Sequence, residues 1–471
     1  MFAGRSMTTA AKTDPCTDVS SSLAFSNYDA VGFDIDHTIA QYNVPELFDR
    51  IHHSLTSYLV EQCGYDEAIK EPLDADFIMR GIVLDIKKGN FIKLAEDGTV
   101  LRASHGTRFL DDLQIQQAYG EKRHWPLFEK MIETVNNIGN EVRIFENFFD
   151  MPLMMAAARL IDIEDSKSVG KQSDYTVIYQ HLHDAIEYTY DPKNFAADKG
   201  GFFPIIKQDQ GEFLQRVSDS VKAWLKRFKA QGKVVFMATS SFNDFAMMSL
   251  SHVIGDDWRD YFDFMFTFAR KPGFFKTKRS FKRVENCAEK ENVTDVVPGQ
   301  VYSQGSCDTF MKYLRAHTGR EDPKVLFFGD SLRSDVFPAK VYSQWDTVLV
   351  LEEMLAERHS FAAEAISEPD GKRLKLDEPS PQTKRYLTSH SWGSFFTDDG
   401  IVNRCDDVSS TKLLMNTLWG FMVRKYADIA IPQLEYVADL ALEHKFKVFN
   451  HQVPQDWGFF PGVPSALQVQ V

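Results

Sequence analysis

The stretch Tyr28-Asp-Ala-Val-Gly-Phe-Asp34-Ile-Asp36 decides the fold of this chain. Its continuous apolar residues predict a short buried strand that ends in two carboxylates, and Asn43-Val-Pro45 soon closes the element. Open α/β sheets bind their ligands at the carboxyl ends of the strands. We therefore expect Asp34 and Asp36 to lie at a ligand-binding edge of a sheet.

Three later apolar runs repeat this strand pattern. A helix with apolar residues at i, i+3, i+4 and i+7 begins at Ser218 and ends at Gly232, and a strand over 233–239 follows at once. Runs of the same kind lie at 324–330 and 347–351. Such runs alternating with helices are typical of a parallel sheet that is covered on both faces. The predicted fold class is therefore α/β, with a Rossmann-like parallel sheet core and helices on both faces.

The lengths of the segments that connect the predicted strands indicate how the chain is divided into domains. About 180 residues separate the first strand from the helix at Ser218, too many for a βα connection of a few residues, so an inserted cap domain should cover the tip of that strand. A charged, proline-punctuated stretch follows the last core strand, and apolar residues return after it. The predicted parts are a disordered leader at 1–25, a core at 26–45 and 215–355, the cap at 46–214, a charged flexible loop at 356–390, and a segment at 391–471 that packs on the core.

Composition excludes several classes of protein. The 471 residues are 44% hydrophobic and 25% charged, close to globular averages, which rules out a wholly disordered or collagen-like chain. The net charge of −14 argues against nucleic acid and anionic membranes as partners. No apolar run reaches the roughly 18 residues of a membrane span, and the first 25 residues lack the apolar block of a signal peptide.

The expected location is the cytoplasm. The cysteines are sparse, odd in number and without zinc-site spacing, which indicates reduced thiols. They are Cys16, Cys63, Cys287, Cys307 and Cys405. The stretch at 372–377, Lys-Arg-Leu-Lys-Leu-Asp, resembles a short nuclear import signal that would give access to the nucleus, although a solvated charged loop explains the same residues. The sequence is also compatible with a homo-oligomer.

Two interpretations fit the acids at the first strand tip. As solvated side chains, Asp34 and Asp36 would cap the next turn. As a catalytic pair, Asp34 would be a carboxylate nucleophile and Asp36 a general acid and base. The second strand ends in Thr239 and Ser240, which either cap the following helix or bind phosphate oxygens together with backbone N–H groups.

Two further strand ends carry charged candidates. Lys271 follows the apolar run 262–268 and is either a surface lysine or a cation that neutralises a phosphoryl group during transfer. Asp330 and Asp335 follow the strand at 324–330, and hard oxygen ligands of this kind suit Mg²⁺. Four strand tips that carry an acid pair, a hydroxyl, a lysine and a second acid pair are an implausible coincidence. The combination favours a magnesium-dependent phosphate site.

This order of motifs resembles that of the haloacid dehalogenase superfamily of hydrolases. Within that superfamily, several stretches resemble the cytosolic 5′-nucleotidase group, over a region of about 28–355. These stretches are 32–42, 80–85, 89–93, 98–106, 149–152 and 269–275. The resemblance implies a haloacid dehalogenase-like core with a large inserted cap, and a Mg²⁺-dependent phosphatase acting on phosphoric monoesters.

The resemblance also implies roles for the candidate residues. Asp34 would attack phosphorus to form an aspartyl-phosphate, while Asp36 would protonate the leaving oxygen and later activate water. Mg²⁺ would be held by Asp34, the backbone carbonyl of Asp36 and Asp330. The other residues would surround the phosphoryl group and the metal: Thr239, Ser240 and Lys271 at the phosphoryl oxygens, and Asp335 orienting the metal's surroundings or the lysine.

The expected substrate is a small phosphorylated molecule, with a nucleoside monophosphate as the first candidate. Purine nucleotidases of the group read the base with an arginine, an acid and a histidine on one helix, where this chain offers Tyr190 and the pair His183 and Glu187. These i, i+4 neighbours are either substrate contacts or a solvated helical pair. Phe149 and Asp150 complete the substrate candidates. Because these residues differ from the set with which the purine nucleotidases read the base, a second hypothesis stays open: a binding or scaffold protein of the same fold with weak or no turnover.

Overall fold

The computed structural model describes residues 22–168, 174–357, 359–361, 379–402, 411–450 and 457–468. A nine-stranded sheet lies at its centre, in the spatial order β5-β4-β6-β3-β2-β1-β7-β8-β9. In chain order the strands are Ala30–Phe33 (β1), Val234–Ala238 (β2), Phe264–Thr267 (β3), Phe281–Glu285 (β4), Ala288–Val293 (β5), Gln300–Gln304 (β6), Val325–Gly329 (β7), Asp346–Val350 (β8) and Ile429–Ile431 (β9).

The central part of this sheet is parallel. From β6 to β9 each neighbouring pair runs in the same direction, whereas β4 and β5 form an antiparallel hairpin at one edge. Every residue of β1, β2 and β7 is buried, which explains why these strands appear in the sequence as continuous apolar runs. The prediction of a largely parallel α/β sheet is confirmed, and the antiparallel hairpin is an addition to it.

Helices cover both faces of the central sheet. On one face the Trp224 ring packs against Phe328 at 5.5 Å between centroids, and on the other Phe310 packs against Phe236 at 4.6 Å. The helices that follow or flank these strands are Asp219–Ala230, Asn243–Val253, Gly273–Lys276, Cys307–Thr318, Phe337–Ser343, Glu353–Ala356, Pro381–Leu387, Leu418–Tyr426 and Glu435–Ala438. A buried apolar layer therefore lies on each side of the sheet.

The segment between β1 and β2 contains a second, antiparallel sheet. In spatial order its strands are Arg108–Phe109, Val100–His105, Asn90–Leu94, Ile82–Asp85 and Val142–Phe145. Its helices are Val44–Cys63, Asp112–Tyr119, Phe128–Ile132, Leu153–Lys167, Thr176–Tyr190, Pro192–Ala196, Phe203–Gln208 and Gln210–Phe213. The boundary that we predict between 45 and 46 falls inside the first turn of Val44–Cys63, because Pro45 is the second residue of that helix, where a proline ring is tolerated.

The fold begins earlier than the sequence suggests. Residues 22–25 belong to the predicted disordered leader, yet Ser22–Leu23 pairs with the strand Phe446–Lys447, and the Phe25 ring stacks within 4.8 Å of Phe446. These contacts bury Phe25 completely. A partner more than 400 positions away supplies the surface that orders this segment, so no local pattern reveals it. Residues 1–21 lie outside the described part of the chain.

The carboxyl-terminal segment packs on both sheets. It contributes β9 to the central sheet, and Trp419 donates a hydrogen bond of 2.5 Å to the Gly81 carbonyl beside the second sheet. Further short strands lie at His359–Phe361, Thr397–Val402, Thr411–Asn416 and Gly462–Pro464. In the predicted flexible loop, Tyr386 and Leu387 are buried, whereas the stretch at 372–377 lies outside the described residues.

Two further sequence expectations bear on the fold. Cys63, Cys287 and Cys307 are free thiols in the structure, and the other two cysteines lie outside the described ranges. Within those ranges, no helix combines the length and the apolar character that crossing a bilayer requires.

Candidate active site

Four strand ends of the central sheet converge on one cavity. Asp34 follows β1, Thr239 follows β2, Asp330 follows β7, and Lys271 lies four positions after β3. Parallel strands place their carboxyl ends at one edge of a sheet, so these four side chains line a common cavity of about 330 Å³. The other predicted catalytic residues lie in the cavity wall or behind it: Asp36 and Ser240 in the wall, and Asp335 against the lysine.

Asp34 is held firmly at the tip of β1. Its backbone N–H donates to the Phe328 carbonyl of β7 at 2.8 Å, and its Oδ1 accepts the Ile35 N–H at 2.8 Å. The chain then turns sharply, with His37 at φ 52°, so Asp36 faces the same cavity. Burial raises the pKa of Asp34 to about 6, although the nearby Lys271 charge lowers it.

Asp36 is bound by two hydroxyl groups. Tyr42 donates to its Oδ1 at 2.7 Å, and Ser241 donates to its Oδ2 at 2.5 Å. Burial and the neighbouring Asp34 charge raise the pKa of Asp36, and the two hydroxyl hydrogen bonds act in the opposite direction. Two adjacent acids with raised pKa values are the arrangement from which acid and base roles arise. Ser241 was not among the predicted residues, although it directly follows the Thr239-Ser240 pair.

Lys271 joins the two ends of the acid cluster. Its Nζ lies 2.8 Å from Asp34 Oδ1 and 2.6 Å from Asp335 Oδ1. Burial alone would lower the pKa of Lys271, but the two carboxylates raise it overall, so the side chain is a fixed cation. Ser240 Oγ accepts the Lys271 backbone N–H at 3.0 Å, which ties the lysine to the end of β2.

Gly329 is required where β7 reaches the cluster. A Cβ atom on Gly329 would lie 2.4 Å from the Asp335 Cβ and 2.5 Å from its Cγ. Asp335 is fully buried and cannot move aside freely, since it also accepts the Ser331 N–H at 3.2 Å.

We expect Gly329→Ala to lower the free energy of unfolding by about 1–3 kcal/mol, the usual cost of overpacking, and to shift Asp335 away from Lys271. Chemical denaturation measures the change. Gly211→Ala is the matched control, because a Cβ there meets nothing closer than 3.6 Å. A Gly329→Ala protein as stable as the Gly211→Ala protein would contradict the prediction.

A buried ion network holds Asp330 from the second sheet. Arg80 donates to the Asp330 carbonyl at 2.6 Å and to the Glu146 carbonyl at 2.8 Å, and its Nη1 lies 3.5 Å from Glu353 Oε1. Glu146 in turn accepts the Ser331 hydroxyl at 2.7 Å. Sequence reasoning assigned no role to Arg80 or Glu146. The sequence does contain a pattern that could have identified Glu146. This acid directly follows the apolar strand Val142–Phe145, just as Asp34 directly follows β1.

The substrate candidates separate into two groups. Phe149 and Asp150 line the cavity, and Arg143 donates to Asp150 Oδ2 at 2.9 Å, which offsets that negative charge. His183 and Glu187 lie outside the cavity wall and pair with each other at 3.5 Å, with side chains 46% and 70% exposed. The same helix reaches the cavity through Tyr190, whose hydroxyl donates to the Phe149 carbonyl at 2.9 Å.

The outer wall of the cavity is aromatic. The rings that line it come from the segment between β1 and β2 and from the residues that follow β2 and β3: Phe149, Tyr190, Phe195, Phe202, Phe203, Phe242, Phe245 and Phe268. Cavities of a few hundred Å³ with apolar walls and a few convergent polar groups are typical small-molecule sites. The cavity thus combines a charged floor with an apolar mouth.

The charged floor suits a divalent cation. Carboxylate oxygens of Asp34, Asp330 and Asp335 lie within 4.8 Å of one another. Burial raises the pKa of all three, and for Asp330 the effect persists beside Arg80. Both oxygens of Asp335 have partners, since Oδ1 contacts Lys271 and Oδ2 accepts the Ser331 N–H. Among the described residues, Oδ2 of Asp34 and Oδ1 of Asp330 have no hydrogen-bond partner, so these two carboxylates have capacity for a metal. Hard oxygen donors of this kind fit Mg²⁺.

Comparison with known proteins identifies relatives over almost the whole chain. Residues 19–397 match the 5′ nucleotidase family. The chain is similar to 5′-nucleotidase domain-containing protein 1 of Homo sapiens, with 36% identity over 449 residues, covering 93% of this chain and 96% of the human protein. The Bos taurus protein of the same name is 37% identical over 448 residues, with the same coverage.

A more distant relative matches a shorter region. The 5′-nucleotidase domain-containing protein 2 of Rattus norvegicus is 28% identical over 344 residues, which are 71% of this chain and 59% of the rat protein. The family match covers most of the chain, and two relatives above 30% identity align over nearly their full length. The resemblance to 5′-nucleotidases seen in the sequence is thus confirmed, and the chain belongs to the 5′-nucleotidase family of phosphatases.

Proposed function

We propose that the protein is a Mg²⁺-dependent phosphomonoester hydrolase that works through an aspartyl-phosphate, on a haloacid dehalogenase-like core with an inserted cap. The observation that carries the proposal is the contact of Lys271 with both Asp34 and Asp335 at the floor of a cavity that also has aromatic walls. A structural role alone does not explain this cluster, because buried acids that repel one another destabilise a fold.

Asp34 is the nucleophile in this mechanism. Both the Ile35 N–H and the Lys271 ammonium group contact its Oδ1, so we assign Oδ2 to the attack on phosphorus. The bond from phosphorus to the ester oxygen breaks as the bond to Asp34 forms. Lys271, Thr239 and Ser240 hold the phosphoryl oxygens, and the fixed charge of Lys271 stabilises the negative charge that develops there.

Asp36 transfers the proton. Its raised pKa favours the protonated form, which donates to the leaving ester oxygen, and the resulting carboxylate then takes a proton from the water that hydrolyses the aspartyl-phosphate. The hydroxyls of Tyr42 and Ser241 orient both carboxyl oxygens through this cycle. Asp335 acts indirectly, because it holds the Lys271 side chain in place.

The metal requirement follows from the charge of the floor. Asp34, the Asp36 backbone carbonyl and Asp330 would hold Mg²⁺, and Arg80 would fix Asp330 through the carbonyl of that residue. Bound there, Mg²⁺ offsets the repulsion between the carboxylates and a phosphate dianion.

The aromatic mouth of the cavity supports a substrate with a flat or apolar leaving group. A nucleoside monophosphate fits this description, since its phosphate would reach Lys271 while its base lies among rings such as Phe149 and Tyr190. Asp150, which is paired with Arg143, and Asn147 are polar groups beside those rings. A sugar phosphate, which lacks an apolar part, would gain less from this wall.

The test is phosphate release from nucleoside monophosphates, sugar phosphates and a generic aryl phosphate. We expect release from at least one of them with Mg²⁺ present, and its loss when EDTA removes the metal, because the acids then repel the substrate. Returning Mg²⁺ should restore the rate. Equal release with Mg²⁺ and with EDTA would contradict the metal assignment, and no release from any substrate would contradict the hydrolase.

A further inference from the structure

A second cleft lies at the start of the helix Cys307–Thr318. Its volume is about 420 Å³, and the residues that line it are all different from those that line the catalytic cavity. The side chains that matter for its chemistry are Lys278, Arg279, Ser306, Asp308, Lys312 and Arg315. Residues 278 and 279 follow the short helix Gly273–Lys276, and the other four belong to Cys307–Thr318 or its cap.

The cleft is strongly cationic. It contains two lysines and two arginines against a single carboxylate, that of Asp308, in a chain with a net charge of −14. Across the described ranges, none of the four cations forms an ion pair, and Arg315 donates only to the Glu321 carbonyl, at 3.0 Å. Unpaired cations that share a concave surface produce a local positive potential, which attracts small anions.

Ser306 supplies a hydroxyl group that has no hydrogen-bond partner among the described residues. It is the residue before the helix and is only 4% exposed, yet its hydroxyl neither caps the helix nor bonds to any other described residue. The hydroxyl oxygen itself is not enclosed by protein atoms, so it can form a hydrogen bond with a ligand in the cleft. Since Ser306 lines the cleft, a ligand there would satisfy its hydroxyl.

Arg279 supplies a guanidinium group that lines the same cleft. Its Nη1 is buried and makes no hydrogen bond within the described structure. Both terminal guanidinium nitrogens lie 3.9 Å from where a Cβ on Gly273 would stand, so the group packs closely against that helix instead of extending into solvent. Arginine presents its donors in a planar fork that matches phosphate oxygens. The amino end of Cys307–Thr318 adds the partial positive charge of a helix.

We propose that this cleft binds a small phosphate-bearing anion, with the Ser306 hydroxyl and the Arg279 guanidinium as direct donors. Lys278, Lys312 and Arg315 supply the surrounding positive charge. The volume of the cleft suits a small molecule, whereas the acidic chain as a whole is unsuited to a long polyanion. The site is separate from the catalytic cavity, so its occupancy does not depend on the proposed hydrolase function.

The test is isothermal titration of the full chain with inorganic pyrophosphate at low salt. EDTA is present so that the metal-free catalytic acids repel the probe. We expect millimolar or tighter binding that Arg279→Gln weakens by about tenfold or more, the effect of losing a charge-assisted hydrogen bond. Ser306→Ala should weaken it by about fivefold. Arg216→Gln removes the same charge at an exposed position outside the cleft and should change the dissociation constant by less than about twofold.

Two results would overturn the proposal. One is the absence of binding to the wild type at millimolar pyrophosphate. The other is equal binding by the Arg279→Gln, Ser306→Ala and Arg216→Gln proteins, which indicates attraction without a defined site. If Arg279→Gln does not fold, Lys312→Gln replaces it, because Lys312 is exposed and its loss should weaken binding without affecting the fold.

Discussion

Replacing Asp34 with asparagine is expected to reduce phosphate release by more than about 10⁴-fold, because the amide lacks the oxygen nucleophile on which the covalent step depends. The substitution preserves the shape of the side chain. It also leaves Lys271 bound to Asp335 at 2.6 Å, so the rest of the cluster keeps its order. Release of inorganic phosphate, followed on the best substrate of the wild type, measures the effect.

The same substitution should not weaken the fold. Burial raises the pKa of Asp34 to about 6, which means that its charged form is disfavoured in the folded state. A neutral asparagine removes that penalty, so the Asp34→Asn protein should be at least as stable as the wild type. A stable protein without activity distinguishes loss of chemistry from unfolding.

Glu187→Gln is the control for this experiment. Glu187 is 70% exposed and lies outside the cavity wall, so its loss should leave the rate unchanged if the helical pair with His183 is only a solvated contact. Should the Asp34→Asn and wild-type proteins release phosphate at the same rate on every substrate, the catalytic role of Asp34 is refuted. The scaffold hypothesis then becomes the better account of this chain.

The strand ends of the site were predictable because their cause is local. β1, β2 and β7 are buried on both faces, so each appears as a continuous apolar run that stops where the chain reaches the cavity. The first polar residues after such runs, Asp34, Thr239 and Asp330, must then lie at the same edge of the sheet. The chemistry of the floor could therefore be predicted without knowledge of any contact.

The contacts that hold the site together were not predictable, because they depend on how distant segments dock. Arg80 reaches the Asp330 carbonyl across 250 positions, and no spacing rule links the two residues. Helical periodicity gives His183 and Glu187 a common face, but it does not state which turn of the helix meets the cavity. The structure shows that the last turn does, through Tyr190. Sequence periodicity predicts which residues share one face of a helix, whereas tertiary packing determines which part of the protein that face contacts.

The junction between the second sheet and the carboxyl-terminal segment depends on one buried acid, Asp398. Its Oδ2 lies 2.6 Å from Lys93 Nζ, and Arg102 donates to both of its oxygens, with Nε 2.9 Å from Oδ2 and Nη2 2.9 Å from Oδ1. The Asp398 and Lys93 side chains are 2% and 4% exposed. Lys93 also donates to the Trp392 carbonyl at 2.6 Å, so this lysine binds the stretch 392–398 at two points.

Asp398→Asn is therefore expected to lower the free energy of unfolding by about 3–5 kcal/mol, because it leaves a buried ammonium group without its counter-charge. Burial already lowers the pKa of Lys93 to about 8, although Asp398 raises it, and removing Asp398 lowers it further. The folded variant then binds fewer protons than the unfolded chain. Its free energy of unfolding should rise with pH, since the unfolded state loses a proton that the folded state has already released.

Two comparisons isolate the cause of this loss in denaturant titrations. Glu141→Gln breaks the exposed pairs with Lys87 and Lys130 and should change the midpoint little, since exposed pairs contribute little to stability. A double variant, Lys93→Met with Asp398→Leu, should recover much of the loss, because it removes both buried charges together and keeps the volume. If Asp398→Asn unfolds at the same denaturant concentration as Glu141→Gln, the buried pair does not hold the junction. The carboxyl-terminal segment must then be retained by its other contacts, such as the hydrogen bond from Trp419 to the Gly81 carbonyl.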